Sequence, residues 1–339
     1  IKHPQKLAVE LDEQSLTYCE LLYYVQVLSL ILLNEYHVVP GDIVCQCVER
    51  SLSMVIGMMA IEMVGGVYCP LSSRDPQHRL YALVEQTQSH LILVHHQTKG
   101  KFIANSILLH IDLVYMGKGG EERVDVDYLS DILVTSNSIA YIIFTSGSTG
   151  LPKAAQIQQR NVTECMHSMV SIDAVNENDV VAQIARCSFD VHVLDIKGTL
   201  AIGACEPFTL DLINLLGTYN TEKCYIWNLY GPAETIICTY HHVQSITTMK
   251  TIPIGQTMPK YRCLVIDQYL QIVLIRQQGE LYVGGVGVFA GYLGRDDLTA
   301  KALLEIDSQL FYRTGDLVTL DDNGLIHYQG RKDHQIKLH

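Results

Sequence analysis

The run Tyr141-Ile142-Ile143-Phe144-Thr145-Ser146-Gly147-Ser148-Thr149-Gly150-Leu151-Pro152-Lys153 constrains the fold more than any other stretch of the chain. It reads as a short apolar strand, a loop of small hydroxyl residues and glycines, and then a lysine. Gly147 and Gly150 let the backbone come close to an oxygen and take positive φ. Successive backbone N–H groups in such a loop form an anion-binding nest. Thr145, Ser146, Ser148 and Thr149 add hydroxyl donors, and Lys153 adds a positive charge. A loop of this kind wraps a polyphosphate. It is not a Walker A loop, because the GxxxxGK[ST] spacing fails: the two glycines are too close and Pro152 precedes the lysine. The structural alternative, a Ser/Gly linker, rarely follows so apolar a strand and ends in Pro-Lys.

A chain of 339 residues is long enough for two or more packed lobes. Its net charge of −12 argues against a nucleic-acid partner, which needs clustered Lys and Arg. ATP needs only local cations, and Lys153, Arg313, Arg331 and Lys337 all fall within motifs. The ten cysteines have no CxxC or paired metal spacing, so reduced thiols in a cytoplasmic protein are expected. No signal peptide is read at the first residues. The apolar stretches 21–33 and 52–64 are too short for a bilayer and are interrupted by Gln26 and Glu62, so core helices and no membrane association are expected.

Strands and helices alternate over residues 1–135. Helices are expected at 20–34, capped by Thr17 with Glu20, at 52–64, stopped by Gly65-Gly66, and at 76–88. Strands are expected at 43–48, 67–71 and 91–95. Such alternation implies a parallel sheet covered by helices. Residues 100–131 are less regular. Beyond the loop, a helix is expected at 161–172 and a strand at 180–185. From 252 onward short alternating strands and frequent turns predict a β-rich lobe, with Asp321-Asp322-Asn323-Gly324 as a hairpin signal. Gly285, Gly287 and Gly291 only superficially match a dinucleotide fingerprint, because the spacing is wrong and no βαβ unit surrounds them.

Four further stretches follow the loop in order: Asn228-Leu229-Tyr230-Gly231-Pro232-Ala233-Glu234-Thr235, Gly279-Glu280-Leu281-Tyr282-Val283-Gly284-Gly285, Tyr312-Arg313-Thr314-Gly315-Asp316-Leu317, and Gly330-Arg331-Lys332-Asp333-His334-Gln335-Ile336-Lys337. With Thr145 to Lys153, these resemble the motifs of the adenylate-forming (AMP-binding) superfamily. The wording is closest to the amino-acid-activating adenylation domains of nonribosomal peptide synthetases. The resemblance implies an α/β fold made of two α/β lobes with mainly parallel sheets plus a small β-barrel-like lobe. It divides the chain into a first lobe (1–135), a second lobe with the phosphate loop (136–250, shortened after about 204), a β-rich lobe (251–329) and a hinge (330–339).

The resemblance implies attack of a carboxylate on the α-phosphorus of ATP, giving acyl-AMP and pyrophosphate. Catalysis of that reaction is mainly positioning and electrostatic stabilisation. By the same resemblance Thr145, Lys153 and Glu234 are catalytic, and Glu234 binds Mg²⁺. The nucleotide falls to Thr145, Ser146, Gly147, Ser148, Thr149, Gly150, Lys153, Asn228, Tyr230, Gly231, Asp316 and Arg331. Tyr230 would stack on adenine, Asn228 would bond its amine edge, Asp316 would accept from the ribose hydroxyls, and Arg331 would lie near ribose and phosphate. Ala233 stands where relatives often carry threonine, which removes one hydroxyl contact. Asp190 would pair with the substrate α-ammonium, since an unpaired buried charge is very costly. Val191, Leu194, Leu229, Ile237 and Cys238 would line the rest of the amino-acid pocket, favouring a hydrophobic side chain. Asp333 matches the hinge. Expected partners are the amino acid, a carrier domain bearing phosphopantetheine, and condensation domains of a larger synthetase.

Simpler structural roles stand beside these readings: a helix-terminal carboxylate for Glu234, a cap or turn for Asp190, a core residue for Tyr230, and an ion pair for Asp316 and Arg331. The stretch between Asp190 and Asn228 is several dozen residues shorter than in the family, which would open one side of the pocket. The sequence also stops at Lys337-Leu338-His339, within the hinge, so the small portion carrying a further lysine is expected to be absent. A chain so shortened is expected to be weak or inactive alone. Two other readings follow: a non-catalytic nucleotide-binding remnant or gene-model fragment, and an acyl-CoA ligase.

Overall fold

The computed structural model describes residues 3–102, 106–112, 127–146, 152–176, 179, 181, 185–202, 226–243 and 252–332. Four loop residues (Gly147, Ser148, Thr149 and Gly150), most of the strand expected at 180–185, the shortened segment after 204, and the hinge with Asp333 and Lys337 lie outside them. The chain forms two compact units, 1–144 with 175–214, and 145–174 with 215–339.

The first unit opens with an antiparallel hairpin, β1 (Leu7–Leu11) and β2 (Gln14–Thr17). Thr17 then caps α1 (Tyr18–Asn34): its hydroxyl accepts from the Glu20 N–H while Glu20 accepts the Thr17 N–H at 2.8 Å. Leu21, Val25, Leu28 and Leu32 follow the helical repeat and form its buried stripe. β3 (Ile43–Cys47) leads to α2 (Leu52–Met63), capped by Ser51. α2 is buried almost all round and ends at Gly65, whose φ of +72° only glycine adopts freely. β4 (Val67–Pro70), α3 (Gln77–Thr87), β5 (Leu91–Val94), β6 (Ile107–His110) and β7 (Ile139–Thr145) follow.

These strands lie in the order β7-β4-β3-β5-β6, and all four pairings are parallel. Strands in such a sheet are covered on both faces and read as continuous apolar runs. β4 and β5 are buried at every position. The strand β6 lies in the stretch read from sequence as irregular; four residues give too few repeats to register a period.

β8 (Lys153–Gln158) and α4 (Gln159–Ser171) belong to the second unit. The chain returns to the first unit in α5 (Asp190–Ile202), which is anchored there by a buried Lys197–Glu62 ion pair of 2.7 Å. His192 on α5 is fully buried, and its Nε2 lies 3.4 Å from the Tyr68 hydroxyl.

The rest of the second unit is β-rich. β9 (Ile226–Tyr230), β10 (Thr239–Val243) and β11 (Gln256–Thr257) form one antiparallel sheet. β12 (Tyr261–Ile266), β13 (Gln278–Gly285), β14 (Gly291–Tyr292), α6 (Asp296–Ala302), β15 (Leu303–Ile306), β16 (Gln309–Leu320) and β17 (Ile326–Arg331) complete it. A second sheet runs β12-β13-β16-β15 with β17 beside β16, and β14 pairs with β8. Within this unit every pairing among the described residues is antiparallel. The expected hairpin at 321–324 joins β16 to β17, with Gly324 at φ +78°. Ile266, Tyr282 and Phe311 form a core cluster of the second sheet.

Candidate active site

Glu234 sits in the turn that follows β9 and is 4% exposed. Two hydroxyls converge on its Oε1: Thr145 donates at 3.2 Å and Tyr292 at 2.8 Å. Its backbone carbonyl accepts the Phe289 N–H at 2.9 Å, so the turn is fixed through main chain and side chain. Lys153, at the start of β8, lies with its Nζ 5.3 Å from the centre of the Tyr292 ring, within cation–π range. Thus Thr145, Lys153 and Glu234, expected from sequence to be catalytic, share one neighbourhood of the second unit.

The turn is sterically tight. A Cβ on Gly231 would meet the Ile236 carbonyl oxygen at 1.5 Å, which is why glycine follows Tyr230. Ile236 itself is fully buried with φ +59°, an outlier for a β-branched residue. Strain of that kind, of order 1–3 kcal/mol, concentrates at functional sites.

A second cluster centres on Asp316 in β16, which is fully buried. Its Oδ1 accepts from Arg331 Nη1 at 2.9 Å, and its Oδ2 accepts from the Tyr230 hydroxyl. Burial, and then the neighbouring Asp316 charge, push the Tyr230 phenol well above its ordinary range, so it stays protonated and donates. Gly315, at φ +73°, would bring a Cβ within 2.9 Å of the Arg331 guanidinium. Three residues read from separate motifs are therefore joined: Tyr230 by a direct hydrogen bond, and Arg331 by the ion pair that was its simpler alternative. Asn228 donates its amide to the Pro253 carbonyl at 2.7 Å.

The expected amino-acid residues divide between the units. In the first unit, Asp190 is the first residue of α5, and its Oδ1 accepts the Val191 N–H at 2.9 Å. Val191 is exposed, whereas Leu194 is buried. Asp195, one helical turn further on, has its carboxyl pushed up to about 7 by burial, partly offset by Arg50 and reinforced by Asp190. In the second unit, Leu229 is half-buried, and Ile237 and Cys238 are buried. The Cys238 thiol donates to the Tyr230 carbonyl at 3.5 Å and is fully buried.

Sequence reasoning assigns no role to Tyr292 or to Tyr312, although Tyr312 opens one of the quoted motifs. Tyr312 is almost wholly buried, and burial, then the Glu234 charge, raise its phenol. Tyr292 follows Gly291, which enters the sequence reading only as part of a failed dinucleotide fingerprint; an aromatic after that glycine is the available signal.

The sequence profile of the AMP-binding enzyme family matches residues 2–211 and 206–293. Bacitracin synthase 2 of Bacillus licheniformis is 30% identical over 391 residues, covering 99% of this chain and 15% of the synthase. Tyrocidine synthase 1 of Brevibacillus parabrevis is 27% identical over 393 residues, covering 99% of this chain and 35% of that synthase. The chain thus spans well under half the length of these curated relatives. Among solved structures, the Klebsiella oxytoca NpsA N-terminal subdomain in complex with 3-hydroxybenzoyl-AMSN superposes with a TM-score of 0.80 at 24% identity, over 97% of this chain and 95% of that one. The nonribosomal peptide synthetase FmoA3 gives a TM-score of 0.85 at 22% identity, over 98% of this chain and 41% of that one. At these identities the likeness is one of fold.

Proposed function

Because the chain belongs to the AMP-binding enzyme family, we propose that it activates an amino acid with ATP as the aminoacyl adenylate, for transfer to a phosphopantetheine thiol in nonribosomal peptide synthesis. The observation that carries this reading is the convergence of Thr145, Lys153 and Glu234 about Tyr292. It supplies a cation and hydroxyls for phosphate oxygens beside a carboxylate. Glu234 offers hard oxygen ligands held by two hydroxyls, a donor set that fits Mg²⁺. When bound, Mg²⁺ neutralises phosphate charge that builds up as pyrophosphate leaves. Lys153 would stabilise the same charge from the loop side, and Thr145 would orient the α-phosphate. Tyr230 would pack against adenine, and Asp316 would take the ribose once Tyr230 or Arg331 yields an oxygen. In the first unit Asp190 would receive the substrate ammonium, with Val191 and Leu194 as side-chain contacts; in the second unit the same role would fall to Leu229, Ile237 and Cys238.

The synthases it resembles are far longer than the matched stretch, which supports carrier and condensation domains as partners. All described cysteines are free, which supports a reducing, cytoplasmic setting. No helix among the described residues is long and apolar enough to cross a membrane.

The test is calorimetry of ATP and AMP with Mg²⁺, with Glu234→Ala and Asp316→Ala as controls, followed by amino-acid-dependent pyrophosphate exchange. Mg²⁺-dependent ATP binding lost in both variants, with exchange for at least one amino acid when the chain is fused to a C-terminal portion of the family type, is the expected result. Binding without exchange for any amino acid would favour the non-catalytic remnant, and exchange with a fatty acid alone would favour an acyl-CoA ligase.

A further inference from the structure

We propose that Tyr292 is a positioning residue that holds the metal-binding acid at its hydroxyl and the loop lysine over its ring, so that one side chain serves both without their pairing with each other. The inference rests on the function proposed above. Tyr292 lies in β14, opposite Ala155 of β8, two residues beyond Lys153. That register sets its ring beside the Lys153 ammonium. Its hydroxyl donates to Glu234 Oε1 at 2.8 Å.

The side chain has little freedom to do otherwise. It is 2% exposed. Phe289 packs edge-on against its ring at 4.8 Å between centroids. The Tyr292 N–H donates to Thr299 Oγ1 at 2.9 Å, and a Cβ on Gly291 would press on that same threonine. Among the described residues, Lys153 and Glu234 form no ion pair with one another; the lysine lies over the phenol ring and the acid accepts from its hydroxyl.

This separation has a chemical use. A lysine in direct contact with the acid would neutralise the charge that Mg²⁺ needs, and would itself be withdrawn from phosphate. The ring satisfies the ammonium through its π-face, an interaction weak enough to yield to a phosphate oxygen. The hydroxyl, by donating to one carboxylate oxygen, fixes the orientation of the acid. Donation toward a carboxylate also enriches the ring in electrons, so the two contacts reinforce each other.

Calorimetry tests the proposal directly. ATP binding is measured in Mg²⁺ and in EDTA, and AMP binding in EDTA, for the unsubstituted chain, Tyr292→Phe, Tyr292→Leu, Glu234→Ala and the packing control Phe289→Leu. Tyr292→Phe keeps the ring and loses the hydroxyl. It should weaken Mg²⁺-dependent ATP binding about tenfold, the scale of losing an outer-shell partner of a metal ligand. AMP binding in EDTA should stay within about twofold, since the acid serves the metal. Tyr292→Leu should weaken ATP binding in EDTA as well, because Lys153 loses its support. Phe289→Leu should lower the melting temperature with the Mg²⁺-to-EDTA ratio kept.

A ratio unchanged in Tyr292→Phe but lost in Glu234→Ala would overturn the role of Tyr292 and leave the proposed function standing. An equal loss in Phe289→Leu would reduce Tyr292 to packing. Absence of ATP binding by the folded, unsubstituted chain would overturn both proposals.

Discussion

Gly231 illustrates how a motif residue becomes legible only through its neighbours. The sequence marks it as part of a nucleotide motif, but the reason for glycine is the Ile236 carbonyl, which occupies the space of a side chain. Gly231→Ala must therefore push the Glu234 turn outward. It should cost about 2 kcal/mol or more in urea denaturation, the scale of forced overpacking, and abolish Mg²⁺-dependent ATP binding. A folded, nucleotide-binding Gly231→Ala protein would show that the turn is pliable. Individual residues of the candidate site are named by motifs, as with Thr145, Lys153, Glu234 and Asp316. The contacts among them are not. Tyr230 and Asp316 lie far apart in sequence and meet only because β9 and β16 belong to one unit. Tyr292 carries no motif at all. Cys238, read as a pocket residue, donates its thiol to the backbone, a preference that side-chain type alone does not reveal.

Elements with local signals are legible from sequence: α1 through its capping box, α2 through the glycines that stop it, and the β16–β17 hairpin through its Asp-Asn-Gly turn. The short strands β1, β2 and β6 escape such a reading, because their identity comes from pairing and not from periodicity. The capping box offers a direct check at this scale. Thr17→Ala removes the acceptor of the Glu20 N–H and should cost about 1 kcal/mol, read as a lower urea midpoint at unchanged slope. Adding Glu20→Ala to it should cost much less than the sum of the two single changes, because both act on one pair.

At the scale of the molecule, α5 sets two opposed pH dependences. Burial lowers the His192 imidazole to about 4, so folding is penalised as pH falls from the unfolded value near 6.5 to 4. Burial raises the Asp195 carboxyl to about 7, so its contribution runs the other way: it favours folding at low pH and is lost as pH rises from about 4 through 7. The two slopes oppose each other between pH 4 and 6.5. Asp195→Asn removes one of them. It should raise stability at pH 8 by on the order of 2 kcal/mol, less than the full shift implies because the carboxyl keeps some solvent contact. It should also steepen the loss of stability below pH 6.5. Urea midpoints of both proteins across pH 4–8 measure the difference, and parallel curves would show that Asp195 is not desolvated. Neither group is singled out for this by sequence, since burial on a helix face is set by what packs against it.

The closed contacts of Asp316 bear on what a binding experiment will register. Both carboxylate oxygens already have internal partners, so a sugar hydroxyl arriving there replaces a bond and does not add one. The heat released is then a difference between two similar hydrogen-bonded states, and it is small even where recognition is specific. Contacts at Asp316 should therefore add little to the heat of nucleotide binding, and strength has to be judged from the steepness of the isotherm and not from its amplitude.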